Sequence, residues 1–392
     1  MKLISSLLVL ALFLIPAILG LAASFYKPWH NWDMIMYIAA AKSYEEQNID
    51  ALHDFTYKAV RASVSEAEYN YLLQGEPRRV AYANLSAVNE YKYRQAIYTD
   101  PSAFKEQLPF YQIRPLYTGT IYLLYKAGVD IGRATHMISA IAVAVALLFL
   151  YFLSISFLPT PFAVAVPFLA IIFDVTDLAR NSTPDGMAFL AMMVTAYLYL
   201  TQRISLLLIL LPITLGVRTD LILFVIPLLL LIFSLHKKFR RKVIASLLAS
   251  LLFYIAIVTH WQNPGWSVIF YHTFIQLQAH PLSMLPTLTP SHYFSAFLSG
   301  VRKIANDRIF WLYLVVVYFL FLTLKYEITH KSFPIRNLPL LSLSAVCLIF
   351  IVSHFLLFPI IWTRFFTGPY LISAFVLLEW SAGCLKRVDH IE

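Results

Sequence analysis

Uninterrupted apolar runs, each long enough to approach the thickness of a lipid bilayer, constrain this chain more than any motif in it. They fall near 2–25, 133–157, 160–178, 184–201, 204–218, 219–235, 243–259, 308–324, 338–357 and 363–383 and predict about ten spans. A spanning helix needs roughly 20 apolar residues, so the shortest of these require tilting or local thinning of the bilayer. Backbone polar groups in lipid must bond within the chain, which leaves helices or closed barrels. The runs are continuous rather than alternating, so the expected fold class is all-α, a polytopic transmembrane helical bundle. Charged residues are 13% of the 392, against about 25% in a soluble domain.

The formal charge of +9 raises nucleic acid as a partner, and the distribution of that charge argues against it. "HKKFRRK" (236–242) holds five basic residues, "KYEITHKSFPIR" (325–336) three, and the tail Lys386 and Arg387. Short basic loops mark the cytoplasmic side of a membrane protein. The opening apolar stretch is longer than the roughly 7–15 residues of a secretory signal core, which favours a retained anchor. Cys347 lies in an apolar run and Cys384 near the tail, so no disulfide framework is indicated.

With the basic clusters inside, parity puts two long loops outside, 26–112 and 260–307, and requires that 115–128, "PLYTGTIYLLYKAG", does not cross. The first loop holds 11 of the 21 acids and nine Lys or Arg. Its pattern predicts amphipathic juxtamembrane helices: "WDMIMYIAAAKSYEEQ" sets an apolar face against "EE", and "SEAEYNYLLQG" ends at Gly75. The second loop, aromatic and broken by Pro, suits an interfacial lid. Its His272, His280 and His292 have no metal-ligand spacing, and no metal site is expected.

Charge near a bilayer is expensive and usually functional. The same parity sends Asp33, Arg114, Asp174, Asp177, Arg180, Asp185, Arg218, Asp220 and Arg364 to one outer surface. Each has a plainer reading. Asp33 suits the first turn of a helix capped by Asn31, and Asp185 after Pro184 suits another. Single arginines serve as snorkelling anchors. As a set, outer arginines run against the positive-inside bias, and a bound phosphate would account for them. Asn84-Leu-Ser and Asn181-Ser-Thr match the glycosylation triplet.

The layout resembles the GT-C superfamily of integral-membrane glycosyltransferases, most nearly the bacterial lipid A aminoarabinose transferases and the protein O-mannosyltransferases. An outer loop opens with an acid in "NWDMIMYIAAA" (Asp33). It closes with "IRPLY" (Arg114 to Tyr117), where the family often shows Lys-Pro-Pro-Leu-Tyr. "ARNSTPDGMAF" then supplies Arg180 and Asp185 before a span; "GVRTDLILF" and "WTRFFTGPYLISAF" are similar to later segments. Two departures stand out: the family frequently has a pair of acids where Asp33 is alone, and the large soluble C-terminal domain of some members has no counterpart.

The resemblance implies transfer of a sugar from a polyprenyl-phosphate donor to a glycan, lipid or protein acceptor, with inversion, at the periplasmic face of a bacterial inner (plasma) membrane. It implies no required cofactor and leaves a divalent metal open. Asp33 is the expected general base, a role worth on the order of 10²–10⁴ in rate, with Asp185 a second acid or an orienting group. Arg114, Arg180, Arg218 and Arg364 are the expected phosphate ligands, Arg114 and Arg364 foremost. Tyr117, Asp220, His30 and Trp32 complete the expected binding site, with Trp29, His30, Trp32 and Tyr37 an aromatic collar around Asp33. A flippase for a lipid-linked glycan and a non-catalytic scaffold remain as alternatives. A flippase calls for polar groups near the midplane on broken helices. A scaffold calls for an Asp33 and arginine set scattered around the rim, whereas an enzyme calls for their convergence in a cavity open to lipid and water.

Overall fold

Among the described residues six helices are long and apolar enough to cross a membrane: Ile4–Tyr26, Ile131–Phe157, Lys237–His260, Arg308–Thr329, Leu338–Leu357 and Thr363–Gly383. Four shorter apolar helices, Thr160–Ile172, Asp185–Leu200, Ile204–Thr214 and Thr219–Leu235, lie among them. The computed structural model describes residues 2–75, 85–283, 287–329 and 338–388, and among these every regular element is helical. The chain is an all-helical, multi-pass membrane protein. Asn84 and residues 330–336 of the second basic cluster lie outside the described residues.

Helix α1 (Lys2–Tyr26) leads into a cap built from α2 (Asp33–Lys42), α3 (Ile49–Ser63), α4 (Glu66–Gln74), α5 (Leu85–Thr99), α6 (Pro101–Gln107), α7 (Pro109–Gln112) and α8 (Pro115–Lys126). The bundle resumes with α9 (Ile131–Phe157), α10 (Thr160–Ile172), the short α11 (Val175–Arg180), α12 (Asp185–Leu200), α13 (Ile204–Thr214), α14 (Ile222–Leu235) and α15 (Arg240–His260). Two further cap helices, α16 (Trp266–Phe274) and α17 (Pro290–Ile304), precede α18 (Arg308–Thr329), α19 (Leu338–Leu357) and α20 (Thr363–Val388).

Side-chain contacts fix the direction of each bundle helix. α1 and α9 are antiparallel, since Ser24 meets His136 and Phe13 meets Tyr151. α9 and α12 run parallel: Ser139 donates to the Thr183 carbonyl just before α12, and Phe149 packs on Tyr197 further along both. α13 and α15 are parallel through Lys242–Ser205 and Ser246–Leu208. α19 runs against α14 and α20, pairing Phe350 with Phe224 and with Phe366. The end of α1 and the starts of α9, α12, α14 and α20 therefore lie at one end of the bundle. The basic run Lys237 to Lys242 lies at the other.

Caps start the juxtamembrane helices as their sequences dictate. Ser65 and Glu68 form a reciprocal capping box on α4, which ends at Gly75 with φ of 75°. Asp100 caps α6 ahead of Pro101, and Asp130 caps α9. α2 departs from the amphipathic surface helix expected of it. Met34 through Ala41 are all buried, and "EE" falls beyond its end. Eight successive apolar residues leave no polar face, so α2 becomes the centre of the cap, wrapped by α3, α8 and the start of α9. α8 has 12 residues, about 18 Å at 1.5 Å per residue, and packs on α2 and on α9. The second loop docks on the first: Gln107 donates to the carbonyls of Gln278 and Ala279, and Glu106 accepts from Leu282, Ser283 and His280.

Candidate functional site

Where α1 gives way to α2, Asp33 occupies the first helical position. Trp32 sits at the cap in helical geometry, and no side chain caps the helix; Asn31, expected in that role, instead places its amide 3.4 Å from Asp33 Oδ2. Arg364, in the first turn of α20, spans two acids, with Nη2 3.5 Å from Asp33 Oδ2 and Nε 3.4 Å from Asp185 Oδ2. Arg218 donates to Asp185 Oδ1 at 2.6 Å and grips both oxygens of Asp220 at 3.0 and 2.5 Å. His354, near the end of α19, places Nε2 3.3 Å from Asp220 Oδ2. Asp33, Arg364, Asp185, Arg218, Asp220 and His354 thus form one connected line of charge across the end of the bundle.

Burial grades along that line. The side chains of Asp185 and Arg218 are 2% and 5% exposed, whereas Asp33 keeps 28% of its surface and Arg364 23%. Arg218 has its three donor arms committed to carboxylates, so its work is to hold Asp185 and Asp220 in place rather than to receive a ligand. The long contacts of Arg364 leave its guanidinium only loosely committed. Its planar group also lies 4.8 Å from the Trp362 ring.

Tyr111, on α7, donates to Asp33 Oδ1 at 3.1 Å. Burial, with Asp33 beside it, pushes the Tyr111 phenol well above its ordinary value, so the hydroxyl stays a donor at neutral pH. Its ring stands edge-on to Tyr37 at 5.1 Å, and Tyr37 in turn to Tyr117 at 4.9 Å. Arg114 lies over Tyr37, 5.6 Å from the ring centre, and donates from Nη1 to the Phe110 carbonyl. Among the described residues no carboxylate comes within ion-pair distance of Arg114. It is the cation of this region with the most uncommitted N–H groups.

Four other expected site residues have different surroundings. Arg180 donates to the Lys27 carbonyl at 2.7 Å and pairs with Asp177, while its own carbonyl accepts from Trp29 N–H. It staples the segment between α1 and α2 to α11. Tyr117 is fully buried and donates to the Thr135 carbonyl, a strut between α8 and α9. Trp32 turns toward Tyr93 and takes the Arg94 guanidinium on its ring at 5.2 Å. His30 pairs with Glu68 and faces His136. Of the aromatic collar expected around Asp33, Tyr37 stands with Tyr111, which bonds the carboxylate, while Trp32 and His30 turn to other partners. Asn181 is only 4% exposed and flanked by buried Ser182 and Thr183, which rules out its triplet as a glycan acceptor in the folded chain.

His354 and Tyr111 join the site without having been singled out by the sequence. An ionisable residue inside an apolar run marks function by default, and that signal would have found His354. Its Nδ1 is buried without a hydrogen-bond partner. Tyr111 carried no signal, being one of 24 tyrosines. Among the described residues no group of three or more His, Cys, Asp or Glu is arranged to hold a metal ion. Comparison with protein-family models, with curated proteins and with solved structures finds no match for the chain.

Proposed function

We propose that the protein is a glycosyltransferase of GT-C type, crossing a bacterial inner membrane about ten times and moving a sugar from a polyprenyl-phosphate donor to an acceptor at the outer face. The observation that carries this reading is the convergence of Asp33 with Arg364, Asp185 and Arg218, drawn from four segments far apart in sequence. A scaffold has no need to gather these groups, and a flippase would keep its polar groups near the midplane rather than at helix ends. Ten crossings take the four shorter apolar helices as spans around which the bilayer thins. The alternating helix directions support that count, and the basic run at the far end supports a cytoplasmic assignment there.

In the proposed reaction the acceptor hydroxyl attacks the anomeric carbon. Its proton passes to the partly exposed Asp33 carboxylate, and the bond from the anomeric carbon to the phosphate oxygen breaks, the electron pair leaving on the phosphate. A single displacement inverts the anomeric centre. Arg114 and Arg364 meet the charge that develops on the leaving phosphate, with forked geometry suited to it. Asp185 orients Arg364 and Arg218 from a sealed position, and Tyr111 fixes the carboxylate of Asp33.

The test is incubation of purified protein with a panel of polyprenyl-phosphate sugars, scoring donor consumption. Wild-type protein is expected to consume at least one donor, and Asp33→Asn to lose that activity while inserting normally. Near-normal transfer by Asp33→Asn would remove Asp33 from the mechanism, and an intact panel under wild-type protein would remove the donor class.

A further inference from the structure

A cavity of about 350 Å³ opens beside the end of α1, away from the Asp33 line, between α1, α3 and α9. Its walls are polar. His136 is held through Nδ1 by Ser24 Oγ at 3.0 Å, and His30 through Nδ1 by Glu68 Oε1 at 3.2 Å. The two imidazoles face each other 5.8 Å apart, each with its Nε2 left over for another partner. Arg133, in the first turn of α9, also lines the space. Its guanidinium lies 6.0 Å from the Phe25 ring, and among the described residues no carboxylate pairs with it. Asp130, the acid lining the same space, is committed to the Arg133 N–H and the Ser63 hydroxyl as the cap of α9.

The rim has a different character. Phe25 and Tyr26 are 65% and 78% exposed at the last turn of a helix long enough to span the membrane. An aromatic edge at that position belongs to the boundary between acyl chains and headgroups. One guanidinium without a carboxylate partner, beside the Nε2–H that His136 presents when its Nδ1 accepts from Ser24 and at the start of a 27-residue helix, suits a compact anion. The committed carboxylates of Asp130 and Glu68 nearby favour a singly charged anion over a dianion.

We infer that this cavity binds the phosphodiester of a glycerophospholipid headgroup, with Arg133 as its principal ligand and the acyl chains lying along α1. The inference needs the membrane setting of the chain but not the transfer reaction, so its test does not use activity. The purified protein in mild detergent is titrated with phosphatidylglycerol and followed by native mass spectrometry. Wild-type protein is expected to retain one lipid at concentrations where Arg133→Ala requires about tenfold more, the scale of a lost charge-assisted hydrogen bond. Ala62→Trp, which fills the cavity from α3, is expected to lose the same lipid, and Arg203→Ala, at the far end of the bundle, to keep it. Unchanged retention in both Arg133→Ala and Ala62→Trp, at wild-type helicity and melting temperature, overturns the site. Displacement of the lipid by excess inorganic phosphate, with phosphate binding that also depends on Arg133, would make it a site for free phosphate and overturn the lipid assignment.

Discussion

Asp33 and Asp185 are the same side chain put to two uses by burial. Asp185 is sealed against Arg218 and Arg364, while Asp33 keeps access to the outside and holds its guanidinium at longer range. Taking away one partner of a buried ion pair leaves an uncompensated charge and costs about 3–5 kcal/mol. Arg218→Met leaves Asp220 with His354 and Asp185 with the long contact to Arg364, so it is expected to lower stability to denaturation by an amount of that order. Asp33→Asn, which keeps the shape of the side chain and gives up a long, partly exposed ion pair, is expected to cost no more than about 1 kcal/mol while abolishing turnover. The two measurements separate holding from reacting, and a comparable stability loss in both variants would deny Asp33 its special place. At this scale the sequence was informative about which residues are candidates for the outer face, since charge is rare in so apolar a chain and its few sites stand out, but not about which of them would meet. What each one does was hidden. Arg180, Arg218 and Arg364 look alike in sequence; only three-dimensional neighbours reveal that the first staples a backbone, the second is saturated by carboxylates and the third is loosely held.

Glu106 gathers the second outer loop onto α6. Although partial burial acts the other way, hydrogen bonds from the Ser283 hydroxyl and from the Leu282 and Ser283 N–H groups hold its carboxyl below the ordinary value of 4.5, with His280 adding to them. A folded-state value below the unfolded one means that this clasp contributes in full above about pH 4.5 and is lost as pH falls through the lowered folded value. His280 also faces Asp100 at 3.4 Å. Glu106→Gln is expected to free residues 280–283 already at pH 7, read as faster amide exchange at Leu282 and Ser283; protection equal to wild type would show that Gln107 alone holds the loop. Close approach sets a second constraint at this scale. A Cβ on Gly186 would lie 2.8 Å from the Ser139 backbone, so Gly186→Val pushes α12 off α9 and is expected to cost about 1–3 kcal/mol, with Asp185 displaced alongside. The capped helix α4 was legible because its start and stop signals are local. The burial of α2 was not, because "EE", which the sequence offers as its polar face, falls beyond the end of the helix.

For the whole molecule, the directions of α1, α9, α12 to α15, α19 and α20 are set by packing contacts, and they agree with the parity that the basic loops impose on the sequence. The two arguments are independent, since one uses apolar side chains inside the bundle and the other uses charge at its ends. Apolar runs announce themselves by length, so the placement of the long helices was readable. The shorter runs read as crossings as well, and their helices carry that reading less far, because a helix of 11 residues such as α13 covers only about 16 Å at 1.5 Å per residue. Accessibility decides whether it crosses. The variants Asp54→Cys in the cap, Arg203→Cys between α12 and α13, and Lys238→Cys beyond α14 can each be probed in intact cells with a membrane-impermeant maleimide. Cys384→Ala in every case leaves Cys347, which is buried, as the remaining native thiol. Positions 54, 203 and 238 are exposed, so labelling reports sidedness rather than burial. The thiol at position 54 is expected to react from outside, and those at 203 and 238 only after permeabilisation. Labelling at position 203 from outside would mean that α12 fails to cross, which would reverse α13 and carry Arg218, beyond its far end, to the face opposite Asp33 and Asp185. Because Arg218 is bonded to Asp185, the site cannot survive that result, and the topology and the chemistry stand on the same measurement.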